Sequence, residues 1–108
     1  MIKLFLFFAF SLNLFFGLAQ SKGTILGVVT DLNSEEPLPF VKVFVENTET
    51  GAVTSFDGKY KIDIETGTYN LIASNDGYKS LKKYNIVLSS GNAQIVNFEL
   101  EQITKELD

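Results

Sequence analysis

A chain of 108 residues with 9 basic side chains, all lysine, against 13 carboxylates carries a formal charge of −4 and lacks the clustered positive charge that nucleic-acid phosphates demand. It has no histidine and no cysteine, which excludes zinc sites and the usual base or nucleophile of serine and cysteine hydrolases. One small domain fits this length; such a chain buries roughly 60–65% of its unfolded surface, enough for a core but not for a deep catalytic chamber as well.

The N-terminus is set apart. Lys3 precedes an apolar run from Leu4 to Phe16, interrupted by Ser11 and Asn13, and Gly17-Leu18-Ala19 places small residues at −3 and −1 of a cleavage site after Ala19. That is the layout of a secretory signal peptide over residues 1–19. The run is shorter than the ~20 apolar residues of a membrane span, and no span is expected in the mature chain. Six of the ten phenylalanines and one lysine leave with the leader, while all 13 carboxylates remain. Without cysteine, the exported domain has no disulfide staples and depends on packing.

From Gln20 onward, short alternating segments are separated by turn residues. The first predicted strand is Gly23–Asp31, with Ile25, Val28 and Val29 as β-formers, and Pro37-Leu38-Pro39 then excludes regular pairing. Val41–Glu46 alternates, with Val41, Val43 and Val45 on one face. Asn47–Gly51 is a turn, Ala52–Phe56 a short strand, and Asp57-Gly58 leads into Lys59–Ile64, where Tyr60, Ile62 and Ile64 oppose Lys59, Lys61 and Asp63. Tyr69–Ser74, Leu81–Leu88 and Ala93–Leu100 complete seven predicted strands, the last with Val96, Phe98 and Leu100 aligned. The spacing predicts an all-β, seven-stranded antiparallel sandwich over residues 20–100. Residues 101–108 read as an acidic tail or linker.

The chemistry that survives is limited. Asp63 and Glu65 are ~6.6 Å apart on a strand, a separation compatible with an inverting glycosidase. Every acidic i, i+2 pair meets that criterion, and these two share their face with Lys59 and Lys61, which reads as a solvated surface. Asp31-x-Asn33-x-Glu35 begins like a calcium loop but continues with Glu36 and Lys42 where glycine and glutamate are required. Asp57 could likewise open a cation loop, but Lys59 opposes a cation. Asp-Gly between alternating segments reads instead as a type I′ hairpin turn. Ser80 beside Lys82 and Lys83 is ordinary for an edge strand protected by charge. No catalytic residue, metal ligand or cofactor is assigned. Among the tyrosines, Tyr60 and Tyr69 fall on core faces, leaving Tyr78 and Tyr84 as the weak candidates for an aromatic binding surface.

The order of marks is nevertheless specific. Gly27-x-Val29-x-Asp31, Pro37-Leu38 with Val41 and Val43, then Gly51, Thr54, Asp57-Gly58, Tyr60 and Gly77-Tyr78 resemble the carboxypeptidase regulatory-like domain. The resemblance implies a transthyretin-like (prealbumin-like) Greek-key β-sandwich without catalytic function. It also implies an arrangement similar to the N-terminal periplasmic domain of Bacteroidetes-type TonB-dependent receptors. The expected function is that of an exported accessory domain, from a truncated receptor or free-standing, acting on a protein partner such as outer-membrane transport components. The alternative is a periplasmic or secreted carbohydrate-binding module that holds a glycan through Tyr78 or Tyr84.

Overall fold

Alternation sets the elements. The computed structural model describes residues 21–104; the expected leader and residues 105–108 lie outside the described residues. Eight strands follow in chain order: β1 (Lys22–Asp31), β2 (Lys42–Val45), β3 (Gly51–Val53), β4 (Lys59–Glu65), β5 (Gly67–Ser74), β6 (Leu81–Leu88), β7 (Ala93–Ile95) and β8 (Phe98–Leu100). One sheet has the order β4-β1-β7, with β8 also pairing β1; the other runs β3-β2-β5-β6. No helix occurs among the described residues.

In β2, β4 and β5 the inward face is the one the alternation assigns. Ile25 and Val29 of β1, Val43 and Val45 of β2, Tyr60 and Ile62 of β4, and Leu71 and Ala73 of β5 meet between the sheets, with Val41, Leu88, Val96, Phe98 and Leu100. Phe98 is fully buried at the centre, its ring 6.2 Å from that of Tyr60. Each buried valine, leucine, isoleucine or phenylalanine contributes about 1.5–3 kcal/mol by leaving water, which here replaces the disulfides the chain lacks.

Two expectations are corrected. The seventh predicted strand, Ala93–Leu100, is two strands, because Val96–Asn97 leaves the regular ladder. Val96 N donates to Leu26 O at 2.9 Å, and Asn97 Oδ1 accepts from Val28 N at 2.9 Å, so a side chain replaces a backbone acceptor. Gly27 permits this approach, since a Cβ there would lie 1.9 Å from Val96 O. Both segments run parallel to β1, not antiparallel. The preceding strand, β6, lies in the other sheet, so the chain changes sheets at Ser89–Asn92 and no hairpin forces reversal.

The Asp57-Gly58 turn is the second correction. Only Gly58 has positive φ (73°), so the turn is not type I′. Gly58 N donates to Ser55 O and Ser55 N to Lys59 O, closing a three-residue loop with glycine in the left-handed position. The segments it joins, β3 and β4, belong to different sheets, so the turn carries the chain across the sandwich. Beyond Leu100 the described chain stays attached: Lys79 N donates to Glu101 O and Ile103 N to Gly77 O, while Lys79 and Glu101 form an ion pair at 2.8 Å.

Candidate functional site

The loops at the Gly58 end form the most distinctive surface. Thr54 is buried, and its Oγ1 accepts from Val41 N at 2.9 Å and donates to Leu38 O at 2.7 Å. Its backbone exchanges further bonds with the same loop, Thr54 N to Val41 O and Phe40 N to Thr54 O. Gly58 secures the other side, its carbonyl accepting from Val29 N while Leu38 N donates to Val29 O. This frame presents two rings. Phe40 is 63% exposed and Phe56 79% exposed, edge to face with centroids 5.4 Å apart. Phe40 also has φ of 60°, which costs an L-residue with a bulky side chain roughly 1–2 kcal/mol. The buried Thr54 network holds that backbone in place. The sequence points to tyrosines as binding surfaces and to neither ring; the signal it carries is Phe40 directly after Pro37-Leu38-Pro39 and Phe56 directly before Asp57-Gly58, while the strand expected over Ala52–Phe56 ends at Val53.

The predicted site residues fall in two different settings. Tyr78 packs partly buried against the core. Its hydroxyl donates to Asp31 Oδ2 at 2.8 Å and accepts from Gln102 Nε2 at 3.4 Å. Asp31 Oδ1 in turn accepts from Asn33 N and Ser34 N, so the beginning of the calcium-like motif is a carboxylate that caps its own loop. The Ser34 N–H, the Tyr78 hydroxyl and the Asn33 N–H hold the Asp31 carboxyl below its ordinary value, and the bond to Asp31 raises Tyr78. Tyr84, by contrast, is 63% exposed on β6, with Lys82 Nζ 5.0 Å from its ring centroid. Lys82 also pairs with Glu46, whose carboxyl it holds low.

The remaining motifs resolve into structure. Ser80 Oγ reaches Ser74 Oγ at 3.5 Å, while Lys82 engages Glu46 and Lys83 donates to Asn97 O, so neither lysine serves Ser80 as a base. Asp63 and Glu65 are exposed on β4, and Asp63 Oδ1 accepts from Thr24 Oγ1 at 2.7 Å. Among the described residues no three acidic side chains converge on a cation position.

The family model described as CarboxypepD_reg-like domain matches residues 25–108. The chain belongs to this family. Within it, this CarboxypepD_reg-like domain is 33% identical over 79 residues to a TonB-dependent receptor of Formosa agariphila, covering 73% of the chain and 7% of that receptor. It is 34% identical over 87 residues to a viral structural protein, of which it spans 16%. The chain thus spans less than one fifth of either relative. Among solved structures, it superposes on a type II cohesin–X-dockerin complex from Acetivibrio cellulolyticus with a TM-score of 0.62, 18% identity, and coverage of 74% of this chain and 58% of that one. Catechol 1,2-dioxygenase of an Acinetobacter species gives 0.62, at 11% identity and coverage of 82% and 57%. At these identities the likeness is one of fold, a two-sheet sandwich.

Proposed function

We propose that the chain is a non-catalytic accessory domain, exported to the periplasm, that acts through protein contacts in the manner of the N-terminal domain of a TonB-dependent outer-membrane receptor. The observation that carries this reading is the Phe40–Phe56 pair. Two phenylalanine rings stand in water on a frame that tolerates a strained backbone, and covering each would contribute about 1.5–3 kcal/mol. Aromatic anchors of this kind dominate the energetics of protein interfaces. Identity to a receptor over most of the chain favours an outer-membrane transport protein as the partner. No helix among the described residues is long and apolar enough to cross a membrane.

The test is co-purification of the tagged domain with a TonB-dependent barrel from detergent-extracted outer membranes. Retention by the wild type, abolished in Phe40→Ser/Phe56→Ser and unchanged in Tyr84→Ala, is the expected result. Binding on a glycan array that is lost in Tyr84→Ala, without retention on any barrel, would replace this reading with a carbohydrate-binding module.

A further inference from the structure

The two sheets end in four edges: β4 and the β7–β8 line in one, β3 and β6 in the other. Exposed edges invite strand addition, and three of these carry a feature that blocks it. β3 is only three residues long. The β5–β6 register shifts between Tyr69 and Leu71, and Asn85 of β6 has φ of 56°. The β7–β8 line is broken at Val96–Asn97. β4 has no such feature: it is seven residues long, contains no proline, and keeps unbroken register with β1 from Val28↔Lys59 to Lys22↔Glu65.

The backbone of β4 faces in known directions. Val29 N donates to Gly58 O and Thr66 N to Ser21 O, so by antiparallel alternation Tyr60, Ile62 and Ile64 turn their backbone groups toward β1. Lys59, Lys61, Asp63 and Glu65 turn theirs to the open side. At the ends of this row Lys59 O already accepts from Ser55 N and Glu65 O from the Tyr69 hydroxyl. Lys61 and Asp63 present N–H and C=O groups that have no partner among the described residues. All four side chains are exposed on the outer face, in the order Lys, Lys, Asp, Glu.

We propose that β4 is a self-association edge, and that its occupant is β4 of a second copy of this chain, antiparallel about a two-fold axis at Ile62. In that register Lys61 lies opposite Asp63 of the partner subunit, and Lys59 opposite Glu65 of the partner subunit. Every charged position meets its opposite, and Lys61 and Asp63 exchange four backbone bonds across the axis. The register is selected twice over. A slip of one residue sets outward backbone groups against inward ones. A slip of two sets Lys61 against Lys61, or Asp63 against Asp63, and keeps two opposite pairs in place of four, so it is the weaker register. Thr24 Oγ1, bonded to Asp63 Oδ1, holds one carboxylate on the paired face in advance. The acidic pair that resembles a glycosidase spacing thereby acquires a role as half of a self-complementary charge pattern. This inference does not depend on the receptor reading.

Sedimentation velocity on the purified protein over a concentration series, with circular dichroism to confirm folding, is the experiment. The wild type is expected to dimerise with a dissociation constant that rises with salt. Lys61→Glu and Asp63→Lys, which each set like charges opposite twice in the dimer, are each expected to weaken it by about tenfold or more. The double variant Lys61→Glu/Asp63→Lys, and an equimolar mixture of the two single variants, restore opposite charges and are expected to restore association. A protein that stays monomeric up to about 1 mM, a dimer indifferent to the single reversals, or reversals that neither the double variant nor the mixture rescues would each overturn the proposal.

Discussion

Gly27→Ala perturbs the point where three strands meet. A Cβ on Gly27 would lie 1.9 Å from Val96 O and 2.7 Å from Val96 C, both backbone atoms, so no side-chain rotation relieves the clash. The Val96 carbonyl must withdraw, and it is the acceptor of the Tyr60 hydroxyl. Tyr60 and Val96 are both 5% exposed, so separating them leaves a buried hydroxyl and a buried carbonyl without partners. Overpacking costs about 1–3 kcal/mol and an unsatisfied buried polar group about 1–3 kcal/mol. A combined loss of about 3 kcal/mol is expected, a large share of the 5–15 kcal/mol that holds a typical domain folded. In a domain of this size that corresponds to a fall in Tm of roughly 12–24 °C.

Urea denaturation of Gly27→Ala, Tyr60→Phe and the double variant separates the two contributions. Tyr60→Phe alone removes the hydroxyl and is expected to cost about 1–2 kcal/mol. Because Gly27→Ala already breaks that bond, Tyr60→Phe is expected to add little in its presence, giving a coupling of about 1 kcal/mol. A loss below about 1 kcal/mol for Gly27→Ala, or strictly additive effects, would refute the close-approach argument.

Thr54→Val keeps the shape but strips Val41 N and Leu38 O of their partner, with an expected loss of about 2–3 kcal/mol, whereas Thr54→Ser is expected to stay within about 1 kcal/mol; chemical denaturation distinguishes them. Phe40→Gly relieves the left-handed backbone while losing the aromatic pair, so its stability is expected to stay within about 1 kcal/mol of wild type even as barrel co-purification falls. The Asp31 carboxyl titrates lower folded than unfolded, so its stabilisation is complete above the unfolded value near 3.8 and is lost as pH falls from there through the folded value. Urea midpoints measured from pH 6 to pH 2 are expected to fall less steeply in Asp31→Asn, and Tyr78→Phe is expected to flatten the same limb in part.

Much of the fold is legible because it rests on local rules. Alternation in Val41–Val45 and Lys59–Ile64 assigns core faces without knowledge of any partner strand, and Val96, Phe98 and Leu100 keep a common face even though their strand is broken. What escapes is set by the meeting of distant segments. Nothing around Val96 announces that the chain will leave the ladder, because the cause is the missing side chain at Gly27. Asp57-Gly58 is correctly a turn, yet its type and destination differ from a hairpin, since sheet membership depends on which distant strands claim β3 and β4.

The same reasoning explains why the two surfaces of interest were hidden. Phenylalanine is ordinarily assigned to the core, so Phe40 and Phe56 become conspicuous only when the Thr54 and Gly58 bonds show the loops turning them outward. The charges of β4 are read in sequence as a solvated face, and that reading holds for an isolated strand. Once β4 is known to terminate its sheet, the identical residues take on a second meaning. Lysine on an edge normally guards it by repulsion, and a row of one sign would do so against any copy of itself. Two lysines followed by two carboxylates on an antiparallel edge instead form four opposite pairs with a copy in one register, and fewer, with a like pair among them, in the neighbouring ones. Specificity of that kind needs no cleft and no titrating group, which fits a small domain whose polar side chains are spent on closing loops and pairing strands.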